Sequence, residues 1–212
     1  MKSTSNAHVK IVVFLTVFLL VLILYLQGQS IIKPSVHAFS WIVTVVSLAV
    51  FTWEKWIWHW KIFYFLSNRP DLRGTWKGEV KSLWIEPNTN QPRGTVEVYV
   101  VIRQNYSSLD VRLFSTESSS VSLSADIVTD GESVHSVAVT YLNTPTISHL
   151  PHSPIHHGGM LLNIRGGRLV RQLDGKYWTD RKSIGEISLK EYSTQTADGF
   201  DHARGLSFAT RQ

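Results

Sequence analysis

Two long apolar runs open the chain, Val9 to Leu26 and Val36 to Trp53, with a polar link from Gln27 to Ser35 between them. Each comes close to the roughly 20 residues that carry a helix across a hydrocarbon core of about 30 Å. The pattern predicts a two-helix transmembrane hairpin. A cleaved signal peptide fits less well, because the first run exceeds the usual apolar region, no small-x-small cleavage site follows Leu26, and a second run arrives soon after. Glu54 to Leu66 carries Trp56, Trp58, Trp60, Phe63, Tyr64 and Phe65. It reads as a helical continuation along the membrane interface, where such rings are favoured.

Beyond Arg69-Pro70 the helical pattern gives way to a period of two. Candidate strands are Leu72 to Ile85, Thr95 to Gln104, Leu109 to Thr116, Ser120 to Thr129, Ser133 to Asn143, Gly159 to Ile164, Arg168 to Thr179 and Ile184 to Tyr192. Turn signals such as Asp130-Gly131 and Gly166-Gly167 fall between them. Eight short strands at near-regular spacing predict an antiparallel meander, and closing it into a lipocalin-like β-barrel removes the exposed edges. The expected organisation is therefore two transmembrane helices with an interfacial extension over residues 1–66, and one eight-stranded cytosolic barrel over residues 67–212.

The net charge of +5 means something different once it is divided between these regions. Within residues 1–66, Lys2, Lys10, Lys33, Lys55 and Lys61 oppose Glu54 alone, so +4 of the +5 lies beside the membrane. Anionic lipid accounts for that excess, and a DNA or RNA polymer is not the expected partner. Only Lys33 falls in the link, so the positive-inside rule puts both termini in the cytoplasm and the link outside. The chain has no cysteine, which excludes a disulfide framework and thiolate chemistry.

The long connection Thr144 to His157 carries Pro145, Pro151 and Pro154 together with His149, His152, His156 and His157. No carboxylate falls inside it and the prolines break any helix that would array the rings, which favours a flexible polar loop over a metal site. The seventh strand is more informative. Alternation puts Leu173, Gly175, Tyr177, Thr179 and Arg181 on one face, apolar first and polar last. If that face looks inward, the barrel is plugged at one end and forms a cup of phenol, hydroxyl and guanidinium at the other. An inward arginine is costly unless an anion or a carboxylate meets it. The set is thus either an anionic-ligand site or a network closing the strand ends. Trp76, on the first strand, serves either as a core plug or as part of a site. No catalytic set competes, since Ser, His and Asp are scattered and no Gly-rich phosphate loop runs from strand to helix. A binding protein, not an enzyme, is expected.

The segment Arg69-Pro-Asp-Leu-Arg-Gly-Thr-Trp-Lys-Gly-Glu79 and the later Leu173-Asp-Gly-Lys-Tyr-Trp-Thr-Asp-Arg-Lys-Ser-Ile-Gly-Glu-Ile187 follow a membrane hairpin. In this layout they resemble the two-transmembrane β-barrel effectors of CBASS antiphage defence, CD-NTase-associated receptors for cyclic dinucleotides. The resemblance implies a cyclic dinucleotide as activating ligand, made by a partner nucleotidyltransferase, with no other cofactor. It further implies homo-oligomerisation, contact with membrane lipid and disruption of the bacterial inner membrane. Arg181, Thr179 and Arg103 would then meet the phosphodiesters, and Tyr177 and Trp76 the bases. The alternative is a membrane-anchored lipocalin-like carrier of lipid or fatty acid, or a scaffold. A carrier requires an apolar lumen throughout.

Overall fold

The structure, a computed structural model, describes residues 2–3, 5–26, 36–60, 62, 69–83, 85–86, 91–92, 94–129, 135–166 and 169–211. The chain divides into two compact units, Ser3–Arg69 with Asn105–Ser107, and Met1–Lys2 with Pro70–Gln104 and Ser108–Gln212.

In the helical unit, α1 (Ser5–Leu26) meets α2 (Val36–Thr52) through Leu24, which is buried against Leu20 and Val46. Phe14, Phe18, Tyr25 and Leu26 on α1 stay exposed, as do Trp41, Leu48 and Phe51 on α2. A π-helical turn, Trp53–Ile57, continues α2. Its Glu54 carboxylate accepts from the Ser107 backbone N–H at 2.9 Å and from the Ser107 hydroxyl at 2.7 Å, while Trp53 and Trp58 pack with Tyr106.

Among the described residues, no helix is long and apolar enough to cross a membrane. The reason lies in the lengths. Helix α1 is about 33 Å long, but its first turns are polar and end at Lys10, so its charge-free part, Ile11 to Leu26, covers only about 24 Å. The 17 residues of α2 cover about 26 Å, against about 30 Å of hydrocarbon. The expected transmembrane hairpin therefore lacks support from these helices. Of the interfacial continuation, the π-helical turn and the bend to Trp60 are seen. Lys61, residues 63–68 and the link at residues 27–35 lie outside the described residues.

The second unit is the barrel. Its strands are β1 (Gly74–Ser82), β2 (Thr95–Gln104), β3 (Leu109–Phe114), β4 (Ser118–Thr129), β5 (His135–Pro145), β6 (His156–Arg165), β7 (Gln172–Thr179) and β8 (Ile184–Ser193). Each pairs antiparallel with its neighbours in sequence, and β8 closes on β1. This is the expected eight-stranded meander, closed so that no strand of the ring presents an edge. Strand ends differ from the expectation. The ladder of β1 stops at Ser82, and Ile85–Glu86 pairs instead with Gln91–Pro92. Strand β6 starts at His156, which shortens the long loop, and β7 starts at Gln172. The ladder register shifts between Ser122 and Ser124 in β4 and between Leu189 and Glu191 in β8, and such breaks add the local curvature that a small barrel needs.

Alternation delivers the core. Val98, Val100, Ile102, Val137, Val139, Leu162, Leu173 and Leu189 all point inward and are buried. Trp76 fills the closed end: it is fully buried, its indole N–H donates to the Leu72 carbonyl at 2.9 Å, and its ring lies 4.9 Å from that of Tyr192. The C-terminal segment then straps the outer wall. Ala197, Ala203, Phe200, Leu206 and Phe208, around α3 (Phe200–Arg204), cover Tyr99, Val101 and Phe114. Ala209–Thr210 pairs with β8, and the Arg211 guanidinium lies 3.3 Å from the Tyr192 ring centroid.

Candidate functional site

Each odd-numbered strand carries an inward series that runs from apolar to polar toward its C-terminal end. On β1 it is Trp76, Gly78, Val80 and Ser82; on β3, Leu109, Val111 and Leu113, continued by Ser115; on β5, Val137, Val139, Tyr141 and Asn143; and on β7, Leu173, Gly175, Tyr177 and Thr179. Because the meander is antiparallel, all four C-terminal ends lie at one mouth. There they open a cavity of about 310 Å³, which is near the lower limit of ligand pockets.

The cavity is layered. Val80, Val96, Val98, Leu113, Met160 and Ile187 make its apolar depth. Above them stand two phenol rings facing glycines across the ladder, Tyr141 opposite Gly158 and Tyr177 opposite Gly185. A Cβ on either glycine would overlap the ring, so both positions must stay bare for the rings to lie flat on the wall. Burial pushes the Tyr141 phenol well above the ordinary tyrosine value, with Tyr177 and Asp180 adding to the shift, so it remains an O–H donor.

Hydroxyls surround the rings. The Asn143 amide N–H₂ donates to Ser118 Oγ at 3.0 Å and to Ser120 Oγ at 2.9 Å, while its Oδ1 is buried with no hydrogen-bond partner among the described residues. The opposite amide orientation would bury two unpaired N–H groups in place of one unpaired acceptor, which is costlier. Thr179 Oγ1 lies 2.6 Å from Ser183 Oγ and accepts from the Ser183 backbone N–H, locking the β7–β8 turn. Lys182 turns that corner with φ of 62°. At the rim, Arg181 donates to Ser153 Oγ at 2.7 Å, and His149, His152, His156 and Glu117 complete the lining. The outward Asp180 carboxylate accepts from the His157 backbone N–H, which with His156 and His157 nearby holds it below its usual range.

The structure thus brings Tyr177, Thr179 and Arg181 together in the cup. It does not bring Trp76 or Arg103 there. Trp76 sits at the closed end, and Arg103 is exposed on the outer wall, near enough to Asp198 of the C-terminal segment to help lower its carboxyl pKa. Tyr141, Asn143, Ser118 and Ser120 escaped the sequence reading, although Val137-x-Val139-x-Tyr141-x-Asn143 carries the same apolar-to-polar signal as the seventh strand.

A closed barrel with one plugged end and one polar mouth defines a small-ligand-binding barrel of lipocalin-like build. Its family is specific. Residues 67–191, which include nearly all of the barrel wall, match the family described as the Cap15 cyclic dinucleotide receptor domain, and the chain belongs to that family. The chain is also similar to the CD-NTase-associated protein 15 of Staphylococcus schleiferi, at 26% identity over 192 residues that cover 90% of this chain and 99% of that protein. An alignment of that length reaches beyond the barrel into the helical unit.

Proposed function

We propose that this chain is a CBASS effector whose barrel binds a cyclic dinucleotide in the cup, after which protomers assemble and the bilayer is disrupted. One observation carries the reading: four inward polar gradients converge on a cavity that combines two phenol rings, a set of hydroxyls and a guanidinium. Flat rings suit stacked bases, and hydroxyl and guanidinium donors suit phosphodiester oxygens. The family description supports the same ligand class and a receptor in preference to an enzyme. A fatty-acid carrier fits less well, because Ser82, Ser115, Ser118, Ser120 and Asn143 occupy wall that a carrier would keep apolar.

The membrane half of the reading rests on the apolar surface that α1 and α2 leave uncovered. Helices whose apolar runs are a few ångströms shorter than the hydrocarbon core enter it by local thinning, each at a modest cost. Clustering of such spans by assembled barrels concentrates the thinning, which makes disruption at least as natural as a selective pore. The bacterial inner membrane, with both termini cytoplasmic and a CD-NTase as functional partner, belongs to this same reading.

The test uses the full chain in dye-loaded liposomes with a panel of synthetic cyclic dinucleotides. One member should bind by calorimetry and release dye, and Arg181→Ala should lose both responses with its β-rich circular dichroism unchanged. Silence with every member would sink the receptor. Binding without dye release would sink the membrane attack alone.

A further inference from the structure

The segment between β5 and β6 is not the loose loop that its prolines suggest. The backbone N–H groups of His149 and Leu150 both donate to the Thr146 carbonyl, at 2.9 and 3.1 Å, and those of His152 and Ser153 to the His149 carbonyl, at 3.1 and 2.8 Å. Two consecutive helical turns thereby array His149 and His152 three residues apart on one side, and both line the cup with His156 and Arg181. The Arg181–Ser153 hydrogen bond ties this segment to the β7–β8 turn. His156 Nδ1 lies 2.9 Å from the Pro154 carbonyl, which can only accept, so Nδ1 carries the proton and Nε2 donates to an anion only when the ring is an imidazolium.

Three imidazoles at one mouth invite a metal. Yet among the described residues no group of three or more His, Cys, Asp or Glu side chains could hold one. The three rings and Arg181 share N–H donors and the capacity for positive charge, and Glu117 is the one carboxylate among the described lining residues. Phosphodiester oxygens are acceptors only, and they bind most strongly to donors of that kind. Resting on the cyclic dinucleotide reading above, we infer that the histidine face of this segment is the phosphate-binding wall. The phosphates lie at the rim beneath His149, His152, His156 and Arg181, and the bases descend toward the phenols.

The experiment is calorimetry on the full chain in detergent, with the panel of synthetic cyclic dinucleotides at low and high salt. The combined variant His149→Gln, His152→Gln and His156→Gln should weaken the binding member by about tenfold or more and flatten its salt dependence. His157→Gln serves as control, because that ring lies outside the cavity, 3.6 Å from Asp180, and its affinity should not change. If the combined variant melts early, His152→Gln alone gives the same test, since that ring is exposed and is not used to hold the turn. Unchanged affinity and salt slope in the variants would overturn the inference while leaving the receptor reading intact. Silence of the native chain with every panel member would overturn the receptor reading first. Inorganic phosphate and phosphatidylglycerol vesicles form separate arms: a histidine-dependent response to these alone would overturn the nucleotide as occupant. Zinc chloride that stabilises the native chain but not the combined variant, with equal nucleotide affinity in both, would make the cluster a metal site and overturn the phosphate wall.

Discussion

Trp76 and Tyr177 both stand on inward faces of barrel strands, and only their depth separates a plug from a ligand surface. Trp76 has no exposed area and spends its indole N–H on Leu72, so nothing of it is left for a ligand. Trp76→Ala should cost about 3–5 kcal/mol of unfolding free energy, as for other buried large-to-small changes. Urea melts followed by circular dichroism would measure this, and under subdenaturing conditions nucleotide affinity should stay within about threefold of native, a shift under about 1 kcal/mol. A stable variant that no longer binds would return Trp76 to the site. This contrast marks what the sequence could and could not disclose. Alternation reports which face a side chain occupies, so Tyr177, Thr179 and Arg181 were legible. It does not report depth, which depends on strand length, bulges and the register of closure. Arg103 shows the complementary error: it alternates with the inward Ile102, so period two alone already assigns it to the outer wall.

The eight strands were legible as elements because the wall alternates cleanly, whereas the C-terminal strap was not. Phe200, Leu206 and Phe208 follow neither a period of two nor a long helical period, and they become intelligible only once Tyr99, Val101 and Phe114 lie on the outer face beneath them. Burial pushes the Tyr99 phenol up to about 12, assisted by its 2.7 Å hydrogen bond to Glu97 Oε1. Its folded value stands above the unfolded value of about 10, so its contribution to stability is complete below pH about 10 and is lost as pH rises through about 12. The Phe200 and Phe208 rings lie 5.5 and 5.7 Å from that of Tyr99. Replacing both with alanine should cost about 2–4 kcal/mol and move Tyr99 ionisation back toward its ordinary value. Ultraviolet titration against a Tyr99→Phe reference isolates the one phenol. A titration curve identical to that of the native chain would show that the strap does not shield it.

For the molecule as a whole, the open matter is where the helical unit lies when lipid is present. Its exposed Phe14, Phe18, Trp41, Leu48 and Phe51 exceed what a monomer ordinarily leaves to water, so lipid or protein must cover them. Length argues that the helices lie along the bilayer, since the apolar run of each falls short of the hydrocarbon thickness; charge argues for a hairpin, since the link holds Lys33 alone between flanks richer in lysine. The absence of cysteine lets introduced thiols decide between these arguments without background labelling. Ser30→Cys marks the link and Thr194→Cys an exposed position just after β8. In intact spheroplasts an impermeant maleimide should label Ser30→Cys, and it should reach Thr194→Cys only after permeabilisation. That labelling would show that the link crosses, and under the proposed membrane disruption, thinning around the two short apolar runs would be its physical basis. If neither thiol is labelled before permeabilisation, the helices lie on the inner face. Assembly would then have to act on the bilayer as an inserted wedge of apolar surface, with no spanning hairpin.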